Sequence, residues 1–220
     1  MKRVIFILTP VILLLASCKS ASYFDTPNNV KNMPATLYLT NGRSYQGRLV
    51  VRTNLYSANA VKLYVDEDKK PMHFSLMDVQ GYQFRNDYYA LKEVRGGIRL
   101  GKEYSFMKRL TKEDSRIHLY ENTEKVTTSN GYGGSYTTYE KQYFLQLPSE
   151  QGDAVWPLSS NKFVPNFDEK MSKLVADCPS LAAKIANKEP GYFYAQVSMF
   201  KEKRANVLMQ IIDEYNNCEK

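Results

Sequence analysis

Residues Thr36-Leu37-Tyr38-Leu39-Thr40-Asn41-Gly42-Arg43 decide how this chain is read. Polar or amphipathic residues alternate with leucine up to Thr40, which puts Leu37 and Leu39 on one face of a strand. Asn41-Gly42 then supplies the strongest two-residue hairpin signal, because both residues tolerate the positive φ such a turn needs. The return strand runs from Arg43 to Val51. A third strand is expected from Val61 to Val65, closed by the charged turn Asp66 to Lys70. A fourth runs from Met72 to Met77, and Val79 to Phe84 continues it after a kink at Asp78. Arg85-Asn86-Asp87 turns the chain into Tyr88 to Val94. Short strands at this spacing predict an antiparallel meander or a small barrel-like sheet.

In strand grammar this stretch resembles the Sm-like, SH3-type small barrel. Leu39-Thr40-Asn41-Gly42-Arg43, Gly47-Arg48-Leu49 and Val79-Gln80-Gly81 carry the likeness. It implies a shape and no activity. Where an Sm RNA site would place an acid and an Asn, Thr53-Asn54-Leu55-Tyr56 stands instead, so no nucleic-acid partner is expected.

A second block of β structure with further hairpins follows, punctuated by Gly96-Gly97 and Gly101. Tyr104 to Leu110 reads as strand or short helix, since periodicity cannot arbitrate over so few residues. Arg116 to Tyr120 alternates, and Thr137 to Leu147 is a strand rich in Tyr, Phe and Leu. Between them, Ser129-Asn130-Gly131-Tyr132-Gly133-Gly134-Ser135 reads as a long hairpin tip. It lacks Gly-Lys-Ser/Thr and opens no helix, which sets it apart from a phosphate-cradling loop.

The tail is helical. Asn166 and Glu169 are spaced as a capping pair. Phe167, Met171, Leu174, Val175 and Cys178 fall on one helical face. Pro179 is expected to stop that helix, and Ser180 to cap a second one, Leu181 to Asn187. After the break at Pro190-Gly191, a last helix carries Val207, Leu208, Ile211, Ile212 and Tyr215 on one face. The expected class is α+β: an antiparallel β region over 35–163, then a helical tail over 164–220 packing on it.

The chain has 220 residues, 30 Lys plus Arg and 23 Asp plus Glu, for a formal charge of +7. Its 43% apolar and 24% charged content describes a folding chain, not a disordered or polytopic membrane protein. Three Cys exclude a disulfide-dense scaffold, and two His exclude a His-rich metal site. The charge balance reads as a solvated surface. Lys108-Arg109 and Lys201 to Arg204 are short clusters, not nucleic-acid stripes.

The N-terminus has the parts of an export signal: Met1-Lys2-Arg3, then an apolar run from Val4 to Ala16. That run is about 13 residues, short of the roughly 20 a spanning helix needs. Leu15-Ala16-Ser17-Cys18 resembles the lipobox of bacterial lipoproteins, in which the Cys thiol takes a diacylglycerol before cleavage. The resemblance implies a signal peptide over 1–17, lipidation of Cys18 and anchorage to a membrane. Lys19 after the Cys implies the outer membrane. The absence of acid from Lys19 to Phe24 implies a periplasmic face, with surface exposure as the other placement. Residues 18–34, rich in Ser, Asn, Pro and Lys, read as a flexible tether. Tyr215-Asn216-Asn217-Cys218 and Asp177-Cys178-Pro179 loosely resemble a tail of uncharacterised Bacteroidota envelope lipoproteins, which implies no activity.

Cys178 and Cys218 end apolar helical stripes, and in an exported chain two such thiols can pair. The other reading is two buried, unbridged Cys. His73 and His118 sit in strands with no catalytic company. There is no Gly-x-Ser-x-Gly elbow and no zinc-binding His-Glu-x-x-His. Tyr is abundant, at 17 against one Trp. Tyr132, Tyr136 and Tyr139 on the hairpin, and Tyr88 with Tyr89, are the candidate binding residues, since Tyr offers a broad ring and a polar tip. The plainer alternative is that strands use Tyr because it fits a half-buried pleat. The expectation is a non-enzymatic protein without cofactor or metal that binds or scaffolds an envelope protein or glycan. The alternative is a surface-exposed glycan- or host-binding lipoprotein that uses the Tyr-rich hairpin.

Overall fold

The alternation at Leu37 and Leu39 places both side chains in a core, 0% and 6% exposed. The structure is a computed structural model that describes residues 21–53, 61–65, 70–96, 103–129, 131, 133–148, 152–195 and 201–218. A short hairpin joins β1 (Tyr23–Thr26) to β2 (Asn29–Leu39). β2 pairs along its length with β3 (Ser44–Arg52). Gly42 takes the φ of 81° that the turn between them demands. β4 (Val61–Tyr64) lies on β3, and β5 (Met72–Phe74) lies on β4. One turn of 3-10 helix, Leu76–Asp78, is capped by the Ser75 hydroxyl. It delivers β6 (Val79–Phe84) to the free side of β2.

The sheet continues through β7 (Asp87–Val94), β8 (Glu103–Arg109), β9 (His118–Ser129), β10 (Ser135–Gln146) and β11 (Ala154–Pro157). Among the described residues it has eleven strands. All pairings are antiparallel except one: β11 pairs β10 at Leu145 and Trp156, then runs parallel to β7 at Val94 and Val155. Strands β7 to β11 therefore close a ring. Ala90, Met107, Tyr120, Phe144 and Val155, one from each strand, fill a small core of their own.

Alternate residues of β9 and β10 face the other way. Leu119, Tyr143 and Leu145 meet α1 (Phe167–Leu174), α2 (Pro179–Ala186) and α3 (Lys201–Asn216) in a second core. Leu208, Ile211 and Ile212 are the inward stripe of α3, all 0% exposed. The architecture is a mostly antiparallel sheet with three helices, broadly α+β.

Several expectations are corrected. The tether over 18–34 is strand from Tyr23 onward, apart from the Pro27-Asn28 turn. Its pattern is hidden by a bulge between Val30 and Met33, where Asn32 takes φ 54° and breaks the alternation. Phe24 is no linker residue, because it stacks on Phe84 at 5.3 Å. The β region therefore begins before residue 35. The ambiguous stretch at Tyr104 is strand β8, paired to β7 along six residues of each. Asn166 sits at φ 65° and makes no side-chain cap. Pro179 starts α2 and does not merely stop α1. A helix's first N–H has no partner, so losing it there costs nothing.

Candidate functional site: a two-stranded arm and its root

β9 and β10 stay in one register from His118/Gln146 out to Ser129/Ser135. Their neighbours do not follow. β8 leaves β9 after the Lys108/Glu121 pair, and β11 leaves β10 after Phe144/Pro157. The outer half is an arm. From Glu124 to Ser129 and from Ser135 to Lys141 every residue is exposed except half-buried Val126. An isolated two-stranded hairpin is marginal in water, so the root must hold it.

Two residues of the first hairpin do this. Where β9 peels away, Phe106 of β8 loses a strand partner. The Asn28 side-chain amide replaces it: Oδ1 accepts from the Phe106 N–H at 2.8 Å, and Nδ2 donates to the Phe106 carbonyl at 3.2 Å. A side-chain amide offers the same donor and acceptor as a peptide group. Nδ2 also donates to Ser105 Oγ at 2.8 Å, and the Thr53 hydroxyl donates to Oδ1 at 2.9 Å. Asp25 of β1 clasps one face of the arm. It accepts from the Tyr139 hydroxyl at 2.6 Å, from Asn29 Nδ2 at 3.0 Å and from Lys125 Nζ at 3.3 Å. These bonds, that of Tyr139 first, hold the Asp25 carboxyl below the usual carboxylate range.

Of the hairpin tyrosines, Tyr136 is 56% exposed and Tyr139 is 54% exposed. They are three residues apart on one strand, so they point to opposite faces and form no single patch. Tyr139 is tied to Asp25, while Tyr136 projects freely. Tyr132 lies outside the described residues, as does Cys18. Tyr88 and Tyr89 do not form an exposed pair. Tyr89 is buried and stacks on Tyr82 at 4.9 Å, and the Arg109 guanidinium covers the Tyr88 ring at 4.7 Å. A Cβ on Gly81 would lie 2.5 Å from the Tyr89 carbonyl oxygen, so the close approach of the β7 backbone requires glycine there.

Beyond Phe144 the outer edge of β10 has no strand beside it among the described residues. Leu158 N–H donates to the Tyr143 carbonyl at 3.1 Å, which shows that odd-numbered residues of β10 aim their backbone groups away from β9. Lys141, Tyr139 and Thr137 therefore present N–H and C=O outward, with no backbone partner among the described residues. At the inner end of this edge lies a pocket of about 230 Å³, lined by Gln142, Tyr143, Pro157, Leu158, Ser159 and Arg204.

The remaining titratable groups are structural in setting. His118 Nδ1 lies 3.2 Å from the Thr111 hydroxyl; burial first, then the Arg109 and Lys92 charges, push its pKa down. Lys92 pairs with Asp153 at 2.9 Å and lies over the Tyr120 ring at 5.2 Å. His73 is exposed on β5. Cys178 and Cys218 form a disulfide with Cα atoms 6.0 Å apart. Beside it Arg116 stacks on the Tyr215 ring at 3.7 Å and pairs with Asp177, which joins the start of β9 to the helices. Among the described residues, no group of three or more His, Cys, Asp or Glu could hold a metal ion. No helix among them is long and apolar enough to cross a membrane.

Sequence reasoning found the tip and missed the root. The only local signal for Asn28 was the Pro27-Asn28 turn itself, and nothing local marked Asp25. The chain matches no protein-family model, no curated protein and no solved structure.

Proposed function

We propose that this is a lipid-anchored envelope protein with a non-enzymatic binding or scaffolding role, tethered through Cys18 to the outer membrane and facing the periplasm. In this reading the β9–β10 arm holds the protein's envelope partner. The observation that carries it is the arm: backbone ladder and side chains stand clear of the core on both faces, yet the root is fixed by Asn28 and Asp25. A segment held firmly at its base, and exposed along its outer half, suits a partner's surface. The order β6-β2-β3-β4-β5, with a 3-10 turn before β6, supports reading the first block as a small barrel that serves as the arm's mount. Tyr136 and Tyr139 on opposite faces give less support to a glycan platform, where rings gather on one side.

Three measurements test this. Cys18→Ala should abolish lipid labelling and lipoprotein processing; unchanged labelling refutes the anchor. Protease added to intact cells should leave the folded body uncut; digestion moves the protein to the cell surface. A photoreactive amino acid in place of Tyr136 should crosslink one dominant envelope partner in intact cells. The same group in place of exposed Met77, on the first block, should not. Equal crosslinking from both positions removes the arm from the reading.

A further inference from the structure

Strand structure begins close to the anchor. Tyr23 opens β1, and the Ser22 hydroxyl already donates to the Asn32 carbonyl at 2.8 Å. The four residue steps from Cys18 to Ser22 reach at most about 14 Å when fully extended. A lipid on Cys18 therefore holds β1 and its neighbours beside the bilayer. Lys19 is the only charged side chain on that span. We propose that the outer face of β1 to β4, centred on Tyr23, Lys31 and Lys62, docks on anionic headgroups of the leaflet that carries the anchor. This rests on the lipid anchor proposed at Cys18 and adds the surface by which the folded body meets the membrane.

The register assembles this face. Val30, Leu49, Val51, Val61 and Leu63 point into the first core, so the residues that alternate with them point out. Tyr23 pairs with Lys31. The bulge sets Lys31 and Asn32 against Val50, which lies between the pairs Val30/Val51 and Met33/Leu49. Val50 pairs with Lys62, and Lys62 pairs with His73. Tyr23, Lys31, Val50, Lys62 and His73 thus form one row from β1 to β5. Lys31 stands one strand away from Tyr23, and Lys62 stands three strands away.

The chemistry of the row fits lipid phosphates. β2, β3, β4 and β5 contain no Asp or Glu. Asp25, the acid of β1, is held by Tyr139, Asn29 and Lys125. Among the described residues the side chains of Lys31 and Lys62 make no hydrogen bond or ion pair, so both ammonium groups can turn to phosphates. Arg48 and Arg52 stand on either side of Val50 and have contacts of their own. Tyr23 is 41% exposed, and Tyr favours the headgroup level, where its ring meets apolar chains and its hydroxyl meets water. Attraction of Lys to an anionic leaflet acts over about 10 Å, the same order as the reach of the span, so the anchor delivers the row to where that attraction works.

The test adds the acylated protein to preformed vesicles of phosphatidylcholine with about one-third phosphatidylglycerol, an anionic lipid. A water-soluble amine-acylating reagent then reads lysine accessibility by peptide mass spectrometry. Lys31 and Lys62 should react about tenfold more slowly than in neutral detergent, and more slowly than on phosphatidylcholine alone. Exposed Lys112 and Lys203 should keep their rates. In Tyr23→Trp, a headgroup nitroxide lipid should quench the fluorescence gained over that of Trp156. Adding Lys31→Glu and Lys62→Glu should abolish that quenching while the protein still floats with the vesicles. Unchanged reactivity of Lys31 and Lys62 in protein that floats overturns the docking and leaves the anchor standing. Equal protection on both kinds of vesicle, or protection of Lys203 instead, overturns the docking in the same way. Protein that floats with neither vesicle overturns the anchor, and the docking with it.

Discussion

The hairpins β2–β3 and β9–β10 are built from similar residues and meet different fates. Both are long, antiparallel and dotted with Tyr and Thr. β2–β3 carries Leu37, Leu39, Leu49 and Val51 on one face, and β4 and β6 flank it on both sides. β9–β10 has such residues only at its base, in Leu119 and Leu145. Beyond Glu124 its alternation is of Thr, Tyr, Glu and Lys, with Val126 alone apolar. Period-two patterning therefore makes a strand, but an apolar face decides whether other elements gather on it. Each fully buried Leu or Val contributes about 1.5–3 kcal/mol, and the outer arm has none to give. One hairpin carries stability, and the other is free to carry contacts.

The comparison breaks most visibly at Leu37. Leu37→Ala should cost about 3–5 kcal/mol in urea unfolding, against within about 0.5 kcal/mol for Tyr136→Ala on the arm. Comparable losses would mean the arm belongs to the core after all. Cys178→Ser opens a bridge between residues 40 positions apart and should cost about 3–4 kcal/mol. Its effect should fall on the helical layer, so amide protection should drop in α1 to α3 while β2 and β3 keep theirs. A uniform drop would join the two cores into one cooperative unit.

Asn28→Ala leaves the Phe106 N–H and C=O without their replacement partner, at a cost of about 1–3 kcal/mol. Exchange should quicken at Phe106 and along the arm before it changes in β2–β3. If the arm amides do not respond, the root does not hold the arm. The smallest effect is on pH dependence. The pKa of His118 lies below its ordinary 6.5 because burial disfavours the charged ring. The unfolded chain binds the proton more readily, so this contribution is present above pH 6.5 and fades as pH falls through and below it. His118→Gln should flatten that part of the profile; an unchanged slope would assign it elsewhere.

The legible parts of the fold were those written locally. Leu37 with Leu39, the Asn41-Gly42 turn and the α3 stripe each sit within a few residues of one another. β11 escaped notice because it is four residues long and half its pairing, to β7, comes from about sixty positions upstream. Residues 23–34 escaped because the bulge at Asn32 shifts the pattern by half a period. The disulfide was legible as a pairing of two stripe ends, and the structure forms it. At the candidate site the glycine-rich tip could be read directly. The root could not, since Asn28 acts on Phe106 across 78 residues and Asp25 on Tyr139 across 114. Contacts of that kind depend on where β8 and β9 part, which no local pattern encodes.

The central claim is that the arm carries binding and not stability. It is tested most directly by replacing residues 127–137 with Asn-Gly, which joins the cross-strand pair Val126 and Thr138 through a tight turn. One strain then yields both readouts: urea unfolding of the purified protein, and capture of the partner in intact cells by an added lysine-reactive crosslinker, which does not depend on any residue of the replaced segment. The account predicts a shift within about 0.5 kcal/mol, as for other surface changes, together with loss of the crosslinked partner. Loss of cooperative unfolding, or partner capture as strong as in the unaltered protein, would contradict it.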